Sequence, residues 1–265
     1  MTTFNFVPAN GFPCKCYQTF STLLSKEGSV VNYELISSEY LNQSPTFNTW
    51  TFFVDRFVDQ FKQTSSKSVF IGHSIGGTIG LMTAIQHRNF FSHLIIIEPA
   101  LFSKRFCYGY NLIKGLGLAK QFHPLIKPAL YRKSSFKDLD SIFDRYRSKV
   151  VFKHVSDHCL REMITSQFRW NEKDNHYSLV FPKAWEARIY EYCCSIDMFI
   201  WNHLDKLSIP FLVIRAEHSN TLFDSAVNRL LKHPLCEVAT LNKSTHIVPF
   251  EYPDLIMDHI TRFIK

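Results

Sequence analysis

Ser68-Val-Phe-Ile-Gly-His-Ser-Ile-Gly-Gly77 decides how the rest of the chain is read. Residues 68–71 read as a brief apolar strand and residues 74–87 as the helix that follows, with Gly72-His73-Ser74-Ile75-Gly76 at the junction. A serine in that place sits on a tight, strained turn. Strand and helix pass within contact on either side of such a turn, so the residues two before and two after must be small. Gly72 and Gly76 meet that condition, and Gly77 adds room for close packing. The first turn of the helix also points N–H groups at any anion forming near the hydroxyl. A glycine-rich turn with an incidental serine is the alternative, and the flanking strand and helix argue against it. His73 lies on the turn itself, where packing or polar support is its expected role rather than contact with the Ser74 hydroxyl.

Outward from this segment the chain alternates. Residues 3–7 are extended and run into the turn-rich loop 8–13; residues 16–26 have helical character; residues 30–36, rich in β-branched side chains, read as a strand. Phe53, Val54, Phe57, Val58 and Phe61 recur at helical spacing and predict a helix over 50–63. A strand at 93–97 follows. Such alternation argues for a parallel sheet with helices on both faces. The pattern breaks after Pro99 and returns as a strand at 209–214, a helix at 224–232, a last strand at 236–241 and a closing helix at 252–264. A compact domain seldom carries a hundred structureless residues. The expectation is therefore an α/β core made of 1–100 and 206–265, split by a helical insertion over 101–205.

Hydrophobic residues at 46% and charged residues at 20% give a globular balance that excludes disorder. The longest aliphatic run, 94–97, is too short to span a bilayer, and the first residues lack the features of a signal peptide. Seven Cys match neither a zinc ribbon nor a disulfide framework, so free thiols and a cytoplasmic location are expected. The net charge of +7 is concentrated between 103 and 149, where 11 Lys or Arg face 3 Asp. Such a cluster could steer anions, a membrane surface or nucleic acid, but no nucleic-acid motif accompanies it, and a solvated helix face is the expectation. Arg105, Arg132 and Lys133 fall under the same reading. The aromatic residues of the insertion are expected to hold it together, with a minority lining an apolar pocket above Ser74.

Near the end of the chain, His246 lies five residues past the last predicted strand, in a polar turn with Ser244 and Thr245 and just before a helix. A general base serving Ser74 has to reach it from a loop at the carboxyl edge of the sheet, and His246 fits that place.

Taken together, these landmarks resemble the α/β-hydrolase superfamily, and especially its capped serine hydrolases. Asn10-Gly-Phe-Pro13 is similar to the loop that lends an N–H to the oxyanion hole; Gly72–Gly76 is similar to the elbow carrying the nucleophile. Leu241-Asn-Lys-Ser-Thr-His-Ile-Val-Pro-Phe-Glu-Tyr-Pro253 is similar to the catalytic-His loop with its Pro-x-Glu-x-Pro continuation. The resemblance implies Ser74 as nucleophile, His246 as base, and the N–H groups of Phe12 and Ile75 as oxyanion donors. Three departures stand out. Asn10 occupies a place where such families often have His. The chain has only nine residues before that loop, which predicts a reduced, mostly parallel sheet lacking the usual first strands. The usual acid position falls on Ser219, which carries no charge. Glu98, at the end of the strand after the nucleophile helix, ranks first as replacement; Glu217 ranks second and Asp224 a distant third.

The implied activity is acyl transfer from a small ester or thioester with an apolar acyl or aryl part. A C–C hydrolase or lyase using the same residues is the alternative, as is a non-catalytic ligand-binding relative. Ser74 argues against dehalogenases and epoxide hydrolases of this fold, which need a carboxylate nucleophile. Neither a dinucleotide fingerprint nor a phosphate loop is present, so no cofactor and no metal are expected, and the partner is a small molecule rather than nucleic acid.

Overall fold

The computed structural model describes residues 2–61 and 68–265. Six strands, β1 (Thr2–Val7), β2 (Gly28–Asn32), β3 (Ser68–His73), β4 (Phe91–Ile97), β8 (Phe211–His218) and β9 (Cys236–Thr245), form one sheet in the order β2-β1-β3-β4-β8-β9. All five pairings are parallel. Parallel strands need crossover helices, which cover both faces, so the central strands are buried on both sides and read as unbroken apolar runs. Leu94, Ile95, Ile96 and Ile97 of β4 are all inaccessible.

Alternation along these strands feeds two cores. Phe70, Leu94, Ile96 and Val213 point to the layer of α2 (Thr51–Gln60), α3 (Ile75–Gln86) and α11 (Asp224–Leu230). Val69, Ile71, Ile95, Ile97 and Ile214 point to the layer of α1 (Gln18–Ser25) and α13 (Pro253–Ile264). A short helix, α12 (Val248–Glu251), lies between β9 and α13.

Between β4 and β8 the chain leaves the sheet. It forms α4 (Lys104–Gly115), α5 (Ala119–Phe122), α6 (Ile126–Tyr131), α7 (Leu139–Arg147), α8 (Asp157–Gln167), α9 (Lys183–Glu191) and α10 (Asp197–His203). This segment is not helical throughout: β5 (Ser135–Phe136), β6 (Phe168–Asn171) and β7 (His176–Leu179) make a small antiparallel sheet in the order β5-β7-β6. Asn175 at φ 53 turns the β6–β7 hairpin, and Trp170 stacks edge-on across it against Tyr177 at 5.1 Å.

Other expectations shift at their edges. The strand expected over 30–36 stops at Asn32, beyond which Leu35 and Ile36 turn into the core without pairing. Helix α2 ends where Phe61 becomes extended, and Lys62 and Gln63, the last two residues of the predicted helix, lie outside the described residues. Strand β9 runs to Thr245 and so delivers His246 directly off its end.

Candidate active site

Ser74 sits between β3 and α3 with φ 56 and ψ −120, a conformation that costs non-glycine residues on the order of 1–3 kcal/mol and persists only where the surroundings enforce it. The enforcing contacts are visible in the two glycines. A Cβ on Gly72 would strike the backbone of Gly76, and one on Gly76 would strike the carbonyl of Val7. Ile75 is the first residue of α3, so its N–H lies ahead of the first intrahelical acceptor, and the residue lines the same cavity as Ser74.

His246 stands 2.9 Å from Ser74 Oγ through Nε2. Its Nδ1 faces two oxygens, Thr221 Oγ1 at 3.0 Å and Glu98 Oε2 at 3.3 Å. A carboxylate only accepts, so a bond to Glu98 requires the proton on Nδ1 and leaves Nε2 free to accept from serine. Glu98 is wholly buried and, like Ser74, has a positive φ, 45°. Its carboxylate is oriented by the Ala216 N–H, which donates to Oε1 (2.6 Å), and by the Ser219 hydroxyl, which donates to Oε2 (2.7 Å). The Thr221 hydroxyl lies 3.4 Å from the same Oε2. Ser219, standing where the acid is usual, thus binds the carboxylate that reaches the site from β4. Glu217 is exposed and accepts from the Lys243 N–H (2.6 Å); Asp224 is exposed and pairs with Arg215 (2.7 Å). Neither contacts His246.

Two further groups hold the His246 loop. The Glu251 carboxylate, buried, accepts from the N–H and hydroxyl of Thr245 at 2.7 and 2.8 Å. His73 Nε2 lies 2.8 Å from the His246 carbonyl oxygen, and because a carbonyl only accepts, Nε2 carries the proton. His73 Nδ1 then accepts from the Tyr17 hydroxyl (2.7 Å), which itself accepts from the Ala9 N–H (3.1 Å). Burial, followed by the neighbouring His246, holds His73 well below the usual histidine range, in keeping with a neutral ring. The chain Ala9–Tyr17–His73–His246 ties the 8–13 loop to the histidine loop. His73 provides polar support. Thr221, Glu251 and Tyr17 were not singled out by sequence; only Glu251 carried a signal, in the Pro-x-Glu-x-Pro continuation.

Gly11, at φ 81, closes a turn in which the Phe12 N–H donates to the Ala9 carbonyl at 3.2 Å, so that donor is engaged within its own loop. The loop is further tied to the insertion: Gln167 Nε2 donates to the Gly11 carbonyl (3.2 Å) and Asn10 Nδ2 to the Glu186 carbonyl (3.0 Å).

Ser74, Ile75, Thr221 and His246 open into a cavity of about 450 Å³, within the range of small-molecule sites. Trp50, Phe102, Phe106, Tyr110, Phe122 and Ile189 supply much of its wall. No Asp, Glu, Lys or Arg lines it among the described residues. Arg132 instead pairs with Glu186 at 2.5 Å, and Lys133 lies over the Phe136 ring. Among the described residues, Cys107, Cys194 and Asp197 form a buried group with metal-compatible spacing. Asp197 has a structural use there, accepting from the Phe102 N–H at 2.7 Å, and burial pushes its carboxyl up to about 7.

Comparison with known proteins agrees with this architecture. The family described as serine aminopeptidase, S33 (Hydrolase_4) matches residues 39–251. The uncharacterized hydrolase YugF of Bacillus subtilis is 24% identical over 205 residues, covering 75% of this chain and 66% of YugF, just under two thirds of that relative's length. Among solved structures, E-2-(acetamidomethylene)succinate hydrolase superposes with a TM-score of 0.75 at 13% identity, covering 100% of this chain and 92% of that one. The peroxisomal α/β-hydrolase Lpx1 of Saccharomyces cerevisiae gives 0.74 at 17% identity, covering 99% and 76%. At such identities the superpositions establish the fold alone, but the family match spans most of the chain. No helix among the described residues is long and apolar enough to cross a membrane. With the family matched from residue 39 to residue 251 and the elbow in place, the chain belongs to the Hydrolase_4 (serine aminopeptidase, S33) family of α/β hydrolases.

Proposed function

We propose that this protein is a serine hydrolase that cleaves an ester or thioester carrying an uncharged, apolar acyl or aryl part. The observation that carries the reading is the 2.9 Å contact of Ser74 Oγ with His246 Nε2 at the floor of an apolar cavity. Ser74 Oγ attacks the substrate carbonyl while His246 takes its proton at Nε2. Glu98, with Thr221 beside it, holds the Nδ1 proton and stabilises the imidazolium. The Ile75 N–H faces the developing oxyanion, a donor worth about 3 kcal/mol in such sites. A second donor at Phe12 requires its 3.2 Å turn bond to be shared or released. His246 then protonates the leaving group, and water repeats the sequence to free Ser74.

The absence of ionic side chains from the described cavity wall favours a neutral acyl part over a carboxylate-bearing one. Residues 1–100 and 206–265 serve as the core and 101–205 as a cap that walls the cavity. Hydrolysis of p-nitrophenyl esters tests the proposal. The rate should rise from acetyl to medium-length acyl groups and vanish in Ser74→Ala. Turnover persisting at the wild-type rate in Ser74→Ala, or a flat chain-length profile, contradicts it.

A further inference from the structure

We propose that the outer face of α4, continued through α5 to the start of α6, docks on an anionic lipid surface from which the cavity draws its acyl substrate. This rests on the acyl-hydrolase reading above and extends it to the physical state of the substrate. Along α4 and the residue that caps it, Cys107 and Tyr110 turn inward, while Tyr108, Leu112 and the capping Leu116 follow one another at four-residue spacing on the opposite side. All three are 66% exposed. A merely solvated helix face would carry polar residues at those places.

The apolar surface does not stop at the helix. Phe106, Phe122 and Leu125 are exposed as well, and each also lines the cavity above Ser74, so the rim of the cavity is itself exposed apolar surface. Large apolar side chains exposed together along one helix and at a cavity rim mark an interaction site. Charge decides what kind. Between Glu98 and Asp138 there is no Asp or Glu, against eight Lys or Arg, and Arg105, Lys120 and Lys127 lie exposed among the apolar residues. Apolar side chains flanked by basic ones are the pattern of helices lying in a lipid interface, where the cations meet anionic headgroups. Since no described helix is able to span a bilayer, the association is peripheral. An acyl chain leaving the lipid phase would pass from one apolar surface directly to another.

Flotation of the full chain with phosphatidylcholine vesicles, with and without phosphatidylserine, tests this. The protein should float with the phosphatidylserine vesicles at low salt and be released as salt is raised. Leu112→Glu/Leu116→Glu should weaken that binding on the order of tenfold while leaving hydrolysis of a water-soluble ester unchanged. Lys120→Glu/Lys127→Glu should do the same on the anionic vesicles, and keeps the test open if the leucine variant fails to fold. No flotation with phosphatidylserine vesicles at low salt, or undiminished flotation of the folded variants, overturns the proposal. Vesicle binding without any ester hydrolysis would instead refute the acyl-hydrolase reading and leave the lipid surface standing.

Discussion

Replacing Glu98 by Gln isolates the part of the site that departs most from the usual arrangement. The side chain is wholly buried and its two oxygens have distinct partners. Oε1 accepts from Ala216 N–H at 2.6 Å, a bond the amide oxygen of Gln retains. The amide nitrogen then takes the place of Oε2, which accepted from Ser219 at 2.7 Å and faces His246 Nδ1 at 3.3 Å. Hydroxyls rotate and can accept instead, but Nδ1 can accept only by moving its proton to Nε2. That is the nitrogen 2.9 Å from Ser74 Oγ, which in the proposed reaction must be free to take the serine proton. The wrong tautomer costs about 10⁴ in kcat, equivalent to about 5 kcal/mol. Glu217→Gln should change kcat by less than about twofold, because that exposed side chain can keep accepting from Lys243 through its amide oxygen. The assay is kcat on a p-nitrophenyl ester, with folding checked by thermal melt. Because Ser219 Oγ sits 2.7 Å from Glu98 Oε2, Ser219→Asp in the Glu98→Gln background should bring a carboxylate to the same spot and recover activity by an order of magnitude or more. A folded Glu98→Gln protein within tenfold of wild type would refute the assignment.

Thr221→Val removes the nearer of the two oxygens facing His246 Nδ1 and leaves Glu98 alone at 3.3 Å; kcat should fall roughly tenfold with KM little changed, and an unchanged kcat would make Thr221 a bystander. Asp197 bears on stability rather than rate. With its folded carboxyl pushed up to about 7 by burial, the native state keeps a proton that the unfolded chain loses near pH 4. Stability contributed by this group is therefore present at low pH, is lost as pH rises across that window, and levels off above it, a change of about 4 kcal/mol. Asp197→Asn keeps an acceptor for the Phe102 N–H without the charge, so its Tm should lack that part of the decline and exceed wild type at pH 8; parallel declines in both proteins would contradict this.

Much of this architecture was legible because it follows from local rules. Unbroken apolar strands alternating with helices specify a parallel sheet, and two glycines flanking a serine specify an elbow, since no other residue fits where Gly76 meets the Val7 carbonyl. The contact of Glu98 with His246 was legible by position, since a carboxylate at the end of a buried strand needs a partner. Thr221 was not, because the loop after β8 carries no pattern and only the approach of β4, β8 and β9 brings it to the histidine. The engaged Phe12 N–H was equally hidden, for it depends on how the turn at Gly11 closes. The β6–β7 hairpin went unseen because its turn, Asp174-Asn175, lies in a segment whose charge and helical spacing masked a four-residue strand on each side. His73 looked like support, but the tie from Ala9 through Tyr17 to the His246 carbonyl joins residues far apart in the chain.

The central claim is that Ser74 is a nucleophile activated by His246. A fluorophosphonate probe reacts with activated serines and becomes covalently attached to the reacting oxygen, so mass spectrometry of the treated, digested protein locates it. The account predicts one adduct per chain, on the peptide containing Ser74, absent in Ser74→Ala and slowed by orders of magnitude in His246→Ala. An adduct on another serine, or labelling of Ser74 at an undiminished rate in His246→Ala, would contradict it.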